Sequence, residues 1–67
     1  MKFVIEITCD NAAFECDNEG EADGIEITRI LSVIAKFTDQ ETIKVGWFQP
    51  LRDINGNACG QAVMKNG

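Results

Sequence analysis

The sequence predicts one small α+β domain over residues 1–67, ordered β-α-β-β, with a single helix packed on a three-stranded antiparallel sheet. Three observations predict it. The chain begins with a period-2 alternation, continues through a stripe of apolar residues at helical spacing, and closes on an Asn-Gly pair between two stretches of β-forming residues.

In "KFVIEIT", Phe3, Ile5 and Ile7 alternate with Lys2, Val4, Glu6 and Thr8. A strand with this pattern rests one face on a core and turns Glu6 and Thr8 outward. The same alternation, without a small-residue cleavage site, distinguishes "MKFVIEIT" from a signal peptide. "CDNAAFECDNEGEAD" follows with no sustained period and much Asp, Asn, Glu and Gly, so a loop is expected. Within it "NAAF" forms a short turn, started by Asp10 or Asn11 through side-chain bonds to nearby N–H groups, that tucks Phe14 inward.

The helix reads from the spacing of Ile27, Ile30, Leu31 and Ile34 at i, i+3, i+4 and i+7, with Ala35 and Phe37 widening the stripe. Asp23 is the expected N-cap and Glu26, three residues on, the expected second half of a capping box. Lys36 suits the last turn, and the helix should stop near Phe37–Asp39. Beyond it, "TIKVGWFQPL" supplies Ile43, Val45, Trp47 and Phe48 for a second strand, in which Pro50 marks an end, an edge or a bend. "LRDINGNACGQAVM" is a hairpin, made either by a two-residue type I′ turn or by a type I turn with a bulge at Gly56.

A chain of 67 residues with 45% hydrophobic content is globular but supports only one small core. Its apolar runs are too short to span a membrane. The three cysteines, Cys9, Cys16 and Cys59, are an odd count, so at least one thiol stays unpaired. All three are expected free in a reducing cytoplasm, with a Cys9–Cys16 or Cys16–Cys59 disulfide as the alternative. A metal site is not expected, because the chain has no His, no C-x-x-C spacing and no fourth thiol.

Charge is the most uneven property. Net charge is −5, but residues 1–28 hold eight acids against Lys2, a charge of −7, whereas residues 29–67 sum to +2. "ECDNEGEADGIE" alone places six carboxylates in twelve positions. Part of this is helix chemistry, since acids near a helix N-terminus are favoured by about 0.3–1 kcal/mol each. The rest reads as an acidic face of Asp10, Glu15, Asp17, Glu19, Glu21, Asp23 and Glu26 that repels nucleic acid and anionic lipid and attracts a basic protein surface. A calcium loop fails on spacing: counted from Asp53 or from Asp17, glycine falls at the fourth position, and the twelfth is Met64 or Thr28.

An enzyme is not expected. The chain has neither His nor Tyr, Ser32 sits within the helix without a base at a recognisable spacing, and Cys9 and Cys16 lie among acids that disfavour a thiolate. Trp47 and Phe48 are neighbours in a strand and must point to opposite faces. Two readings stay open there: edge coverage beneath the acidic loop, or an aromatic anchor at Trp47 for a protein partner.

"DNAAF" (10–14), "RIL" (29–31) and "LRDINGNACG" (51–60), after the "MKFVIEI" start, resemble a group of short phage and prophage proteins that share these punctuating motifs. That resemblance covers most of the chain and carries no assigned catalytic or binding residue. Small, acidic, phage-encoded single domains also resemble anti-CRISPR proteins, several of which imitate the charge of DNA. The resemblance implies an inhibitor of host defence that acts in the host bacterial cytoplasm as a monomer. It implies no cofactor and no direct contact with nucleic acid or membrane. Its partner would be a CRISPR–Cas effector subunit whose basic, phosphate-binding surface the acidic face occupies. The alternative is a phage structural or adaptor protein that binds another protein around Trp47.

Overall fold

In the computed structural model, which describes residues 1–15 and 20–67, the opening alternation becomes strand β1 (Lys2–Ile7). A 3-10 turn, Ala12–Phe14, follows. Asn11 caps it, with Oδ1 accepting from the Ala13 N–H at 3.1 Å, and it delivers Phe14 to the interior. The Phe14 carbonyl then accepts from the Asp23 N–H at 3.0 Å, which ties this turn to the start of helix α1 (Gly24–Thr38). Asp23 is the N-cap, its Oδ1 accepting from the Ile25 N–H at 2.9 Å, and Asp39 closes the other end with its N–H on the Ala35 carbonyl.

Strands β2 (Phe48–Arg52) and β3 (Ala58–Lys65) complete an antiparallel sheet in the order β1-β3-β2. The α+β class and the β-α-β-β order are those the sequence predicts. The second strand, however, is shorter than its composition suggests. A turn with the Trp47 N–H on the Lys44 carbonyl at 2.9 Å occupies the stretch before Phe48, so "TIKV" contributes β-formers to an irregular segment. Local turn formation at Val45-Gly46 overrides β-propensity there.

The hairpin between β2 and β3 settles the choice of turn. The Gly56 N–H bonds the Asp53 carbonyl at 3.0 Å, Gly56 has φ of +84°, and among the described residues no non-glycine residue, Asn55 included, has positive φ. A type I′ turn needs positive φ at both central residues, so this is a type I turn ending in a glycine bulge. A second irregularity follows. Leu51 pairs with Gly60 but Arg52 pairs with Ala58, so Cys59 is an extra residue on β3. The bulge turns Cys59 to the same side as Ala62, three positions on, and both are buried. At Gly60 the strands leave no room for a side chain. A Cβ there would collide with the Glu6 carbonyl oxygen and lie 2.9 Å from its carbonyl carbon.

Phe14, Ile30, Ile34, Leu51, Cys59 and Ala62 form the core, with Ile7, Ile27 and Trp47 packed against it. Three members of the predicted helix stripe, Leu31, Ala35 and Phe37, fall outside. Leu31 is 43% exposed and Phe37 is also exposed, whereas Ile30 is 1% exposed. A single small sheet covers a narrower arc of the helix than the stripe spans. No helix among the described residues is long and apolar enough to cross a membrane.

Candidate functional site

Glu26 stands one turn into α1 and is only 5% exposed. It does not turn back to the Asp23 N–H, so the expected capping box is half made. Its Oε1 instead accepts from Arg29 Nε at 2.8 Å, and its Oε2 accepts from Arg29 Nη2 at 3.0 Å and from the backbone N–H of Ile54 at 2.8 Å. The i, i+3 spacing puts the two side chains on one helical face, and the fork of the guanidinium matches both carboxylate oxygens. Arg29 Nη2 reaches on to the Arg52 carbonyl at 3.0 Å, and Arg52 Nη1 donates to the Gly56 carbonyl at 3.1 Å.

Asp53, also buried, completes this latch from the sheet side. Its Oδ1 accepts from the N–H groups of Asn55 and Asn57, both at 2.9 Å, while Oδ2 is buried with no partner among the described residues. The β2–β3 turn is thus held from within by Asp53 and from the helix by Glu26. Arg29's hydrogen bonds hold the Glu26 carboxyl below its ordinary range, reinforced by the Ile54 N–H and opposed by desolvation. The same pairing raises Arg29 further. Burial, with Asp53 and Glu26 nearby, pushes the Cys59 thiol up, and its Sγ lies 3.6 Å from the Leu51 carbonyl oxygen. Cys59 is a packed core side chain. Cys9 is also free, and Cys16 lies outside the described residues.

An open groove of about 320 Å³ runs between α1 and β2 beside the latch, floored by Ile30, Val33, Phe37, Pro50 and Leu51 with Arg29 at its wall. Arg29 is already bonded to Glu26 and Arg52. Among the described residues no group of three His, Cys, Asp or Glu side chains is arranged to hold a metal ion.

The predicted acidic face divides. Asp10, Glu15 and Glu21 are exposed; Asp23 is half-buried and caps the helix; Asp17 and Glu19 lie outside the described residues. Glu26 is not available to a partner, because it is buried and bidentate on Arg29. Sequence reasoning placed it by its charge. The neighbouring signal was Arg29, three residues on, together with the turn-forming Asp53.

The aromatic pair also divides. Trp47 is half-buried on the helix side, its ring 5.7 Å from that of Phe3 and tilted by 40°, with Nε1 donating to Glu41 Oε1 at 3.0 Å. Phe48 takes the opposite face of the sheet, where it is exposed and shares a row with Val63 and Val4. The aromatic side chain offered to solvent is therefore Phe48, and Trp47 holds the strand's start to β1. No family model, curated protein or solved structure matches this chain.

Proposed function

We propose that this chain is a non-enzymatic binding protein that presents an acidic surface to a basic surface of a host protein complex. On this reading it is a phage-encoded inhibitor of host defence, and its target is the nucleic-acid-recognition surface of a CRISPR–Cas effector. The observation that carries the reading is the charge of −7 over residues 1–28, with Asp10, Glu15 and Glu21 exposed there. A channel that binds phosphates through Lys and Arg gains affinity by releasing counterions, and carboxylates on a rigid scaffold compete for the same cations. The latch supports rigidity, since it fixes the first turn of α1 to the β2–β3 turn just beyond the acidic stretch.

The test is competition. Glu15, Asp17, Glu19 and Glu21 are replaced by the corresponding amides, and inhibition of target-DNA binding by the effector is measured at several salt concentrations. Inhibition should weaken and lose its salt dependence; inhibition unchanged in the quadruple variant excludes the electrostatic reading. Phage plating on hosts with and without an active CRISPR–Cas system tests the choice of target, and equal plating removes it for the systems tried.

A second reading is favoured by Phe48, which lies exposed on the uncovered sheet face in line with Val63 and Val4. It makes the chain a phage adaptor that binds another protein through this row rather than through Trp47. Loss of partner binding in Phe48→Ser, with the amide variant unaffected, selects this reading over the first.

A further inference from the structure

The two edges of the sheet are finished differently. On β2, the Met64 N–H reaches the Trp47 carbonyl and the Cys59 thiol reaches that of Leu51, so alternate residues face β3 and Phe48, Pro50 and Arg52 face out. That outer edge is blunted. Pro50 has no N–H to offer, its carbonyl accepts from Gln49 Nε2 at 3.1 Å, and the Arg52 carbonyl accepts from Arg29 at 3.0 Å. On β1, the Thr8 N–H bonds the Cys59 carbonyl at 2.7 Å, which sets Lys2, Val4 and Glu6 toward β3 and turns the backbone groups of Phe3, Ile5 and Ile7 outward. Among the described residues nothing comparable covers Phe3 and Ile5. Their side chains, on the helix side, are 37% and 39% exposed.

We infer that β1 pairs antiparallel with β1 of a second copy of this chain, joining two three-stranded sheets into one of six strands. Across such a junction the outward-facing Phe3, Ile5 and Ile7 form the hydrogen-bonded pairs and Lys2, Val4 and Glu6 fall between them as non-hydrogen-bonded pairs, and that parity leaves few registers. In one of them Phe3 faces the second copy's Ile5 and Lys2 faces the second copy's Glu6, each contact occurring twice, while Val4 faces Val4 once, on the axis. Sliding two residues either way sets Val4 against Glu6 or against Lys2. Within one chain Lys2 lies directly opposite Lys65, a like-charge pair that destabilises the ladder, and among the described residues Glu6 accepts from Gln61 Nε2 at 3.4 Å. The second copy's Glu6 sets an anion opposite Lys2 in place of a like charge. The same register joins the rows Phe48–Val63–Val4 of both copies into one apolar band across the open face. The monomer expected from sequence is the opposing outcome, and neither the strand order nor the state of the edges could be read there.

The test uses the full chain in sedimentation equilibrium across a concentration series, with circular dichroism to monitor folding. Wild-type mass should rise from 7.4 kDa to twice that value. Ile5→Pro removes an outward N–H that the β1–β3 ladder does not use, and should leave a folded monomer. Lys2→Glu and Glu6→Lys each set like charges across the junction and should weaken association by roughly tenfold or more. Mixing the two variants, or combining them in one chain, restores opposite charges and should restore the doubled mass. A chain that stays at 7.4 kDa throughout overturns the inference. So does a dimer indifferent to the charge reversals, and if Ile5→Pro misfolds, the reversal and its rescue decide alone.

Discussion

Ile30 and Leu31 are adjacent members of the same predicted apolar stripe, yet one is 1% exposed and the other 43%. Truncating each to alanine measures what burial contributes apart from sequence pattern. Ile30→Ala removes three carbons, each worth about 0.8 kcal/mol in transfer from water. The cavity left among Phe14, Ile34 and Leu51 raises the expected loss to about 2–5 kcal/mol. A core in a chain this short supplies only about 3–5 kcal/mol in all, so Ile30→Ala should be near the edge of folding. Leu31→Ala keeps much of its hydration unchanged and gains helix propensity, and should cost about 1 kcal/mol or less. Urea titrations followed by circular dichroism and by the fluorescence of the single tryptophan, Trp47, report both variants. Equal losses in the two would show that the helix does not seat on the sheet through Ile30, and the account of the core would fail with it.

Two further outcomes are expected. The Glu26 carboxyl is held below its ordinary value by Arg29, so its contribution to stability is present above the unfolded-state value of about 4.5 and is lost as pH falls through the lower folded value. Glu26→Gln should therefore lower the urea midpoint at neutral pH and flatten its decline in acid; a variant with the wild-type acid limb would show that Glu26 is not the group titrating. Gly60→Ala forces a methyl group onto the Glu6 carbonyl and should destabilise by roughly 1–3 kcal/mol through displacement of β1. Wild-type stability in Gly60→Ala would mean that β1 and β3 approach less closely than described.

What the sequence makes legible here is punctuation. Asp23 caps the helix, Asn11 starts the turn that buries Phe14, and Asn55-Gly56 closes the hairpin, because each acts through bonds to residues a few positions away. What it hides is pairing across distance. The Cys59 bulge follows from how β3 meets β2, so no alternation in "NACGQA" announces that Cys59 and Ala62 face the same way. Glu26 is the sharper case. Its position suits a capping box, but Arg29 and the Ile54 N–H offer its two oxygens three donors, against the single Asp23 N–H. That N–H was itself already held by the Phe14 carbonyl, a contact made through the loop.

The division of the acids bears on how charge and fold can be separated. Glu26 and Asp23 hold the helix start, so neutralising them removes hydrogen bonds as well as charge, and lost binding in such variants would say nothing about electrostatics. Asp10 and Glu15 are exposed beside the 3-10 turn. In a chain of net charge −5, replacing them by Asn and Gln relieves self-repulsion and leaves the latch untouched. Asp10→Asn with Glu15→Gln should therefore unfold at the wild-type urea concentration or slightly above it while binding a basic partner more weakly, most visibly at low salt. Weaker binding accompanied by an equal loss of stability would place those two carboxylates in the architecture instead, alongside Glu26.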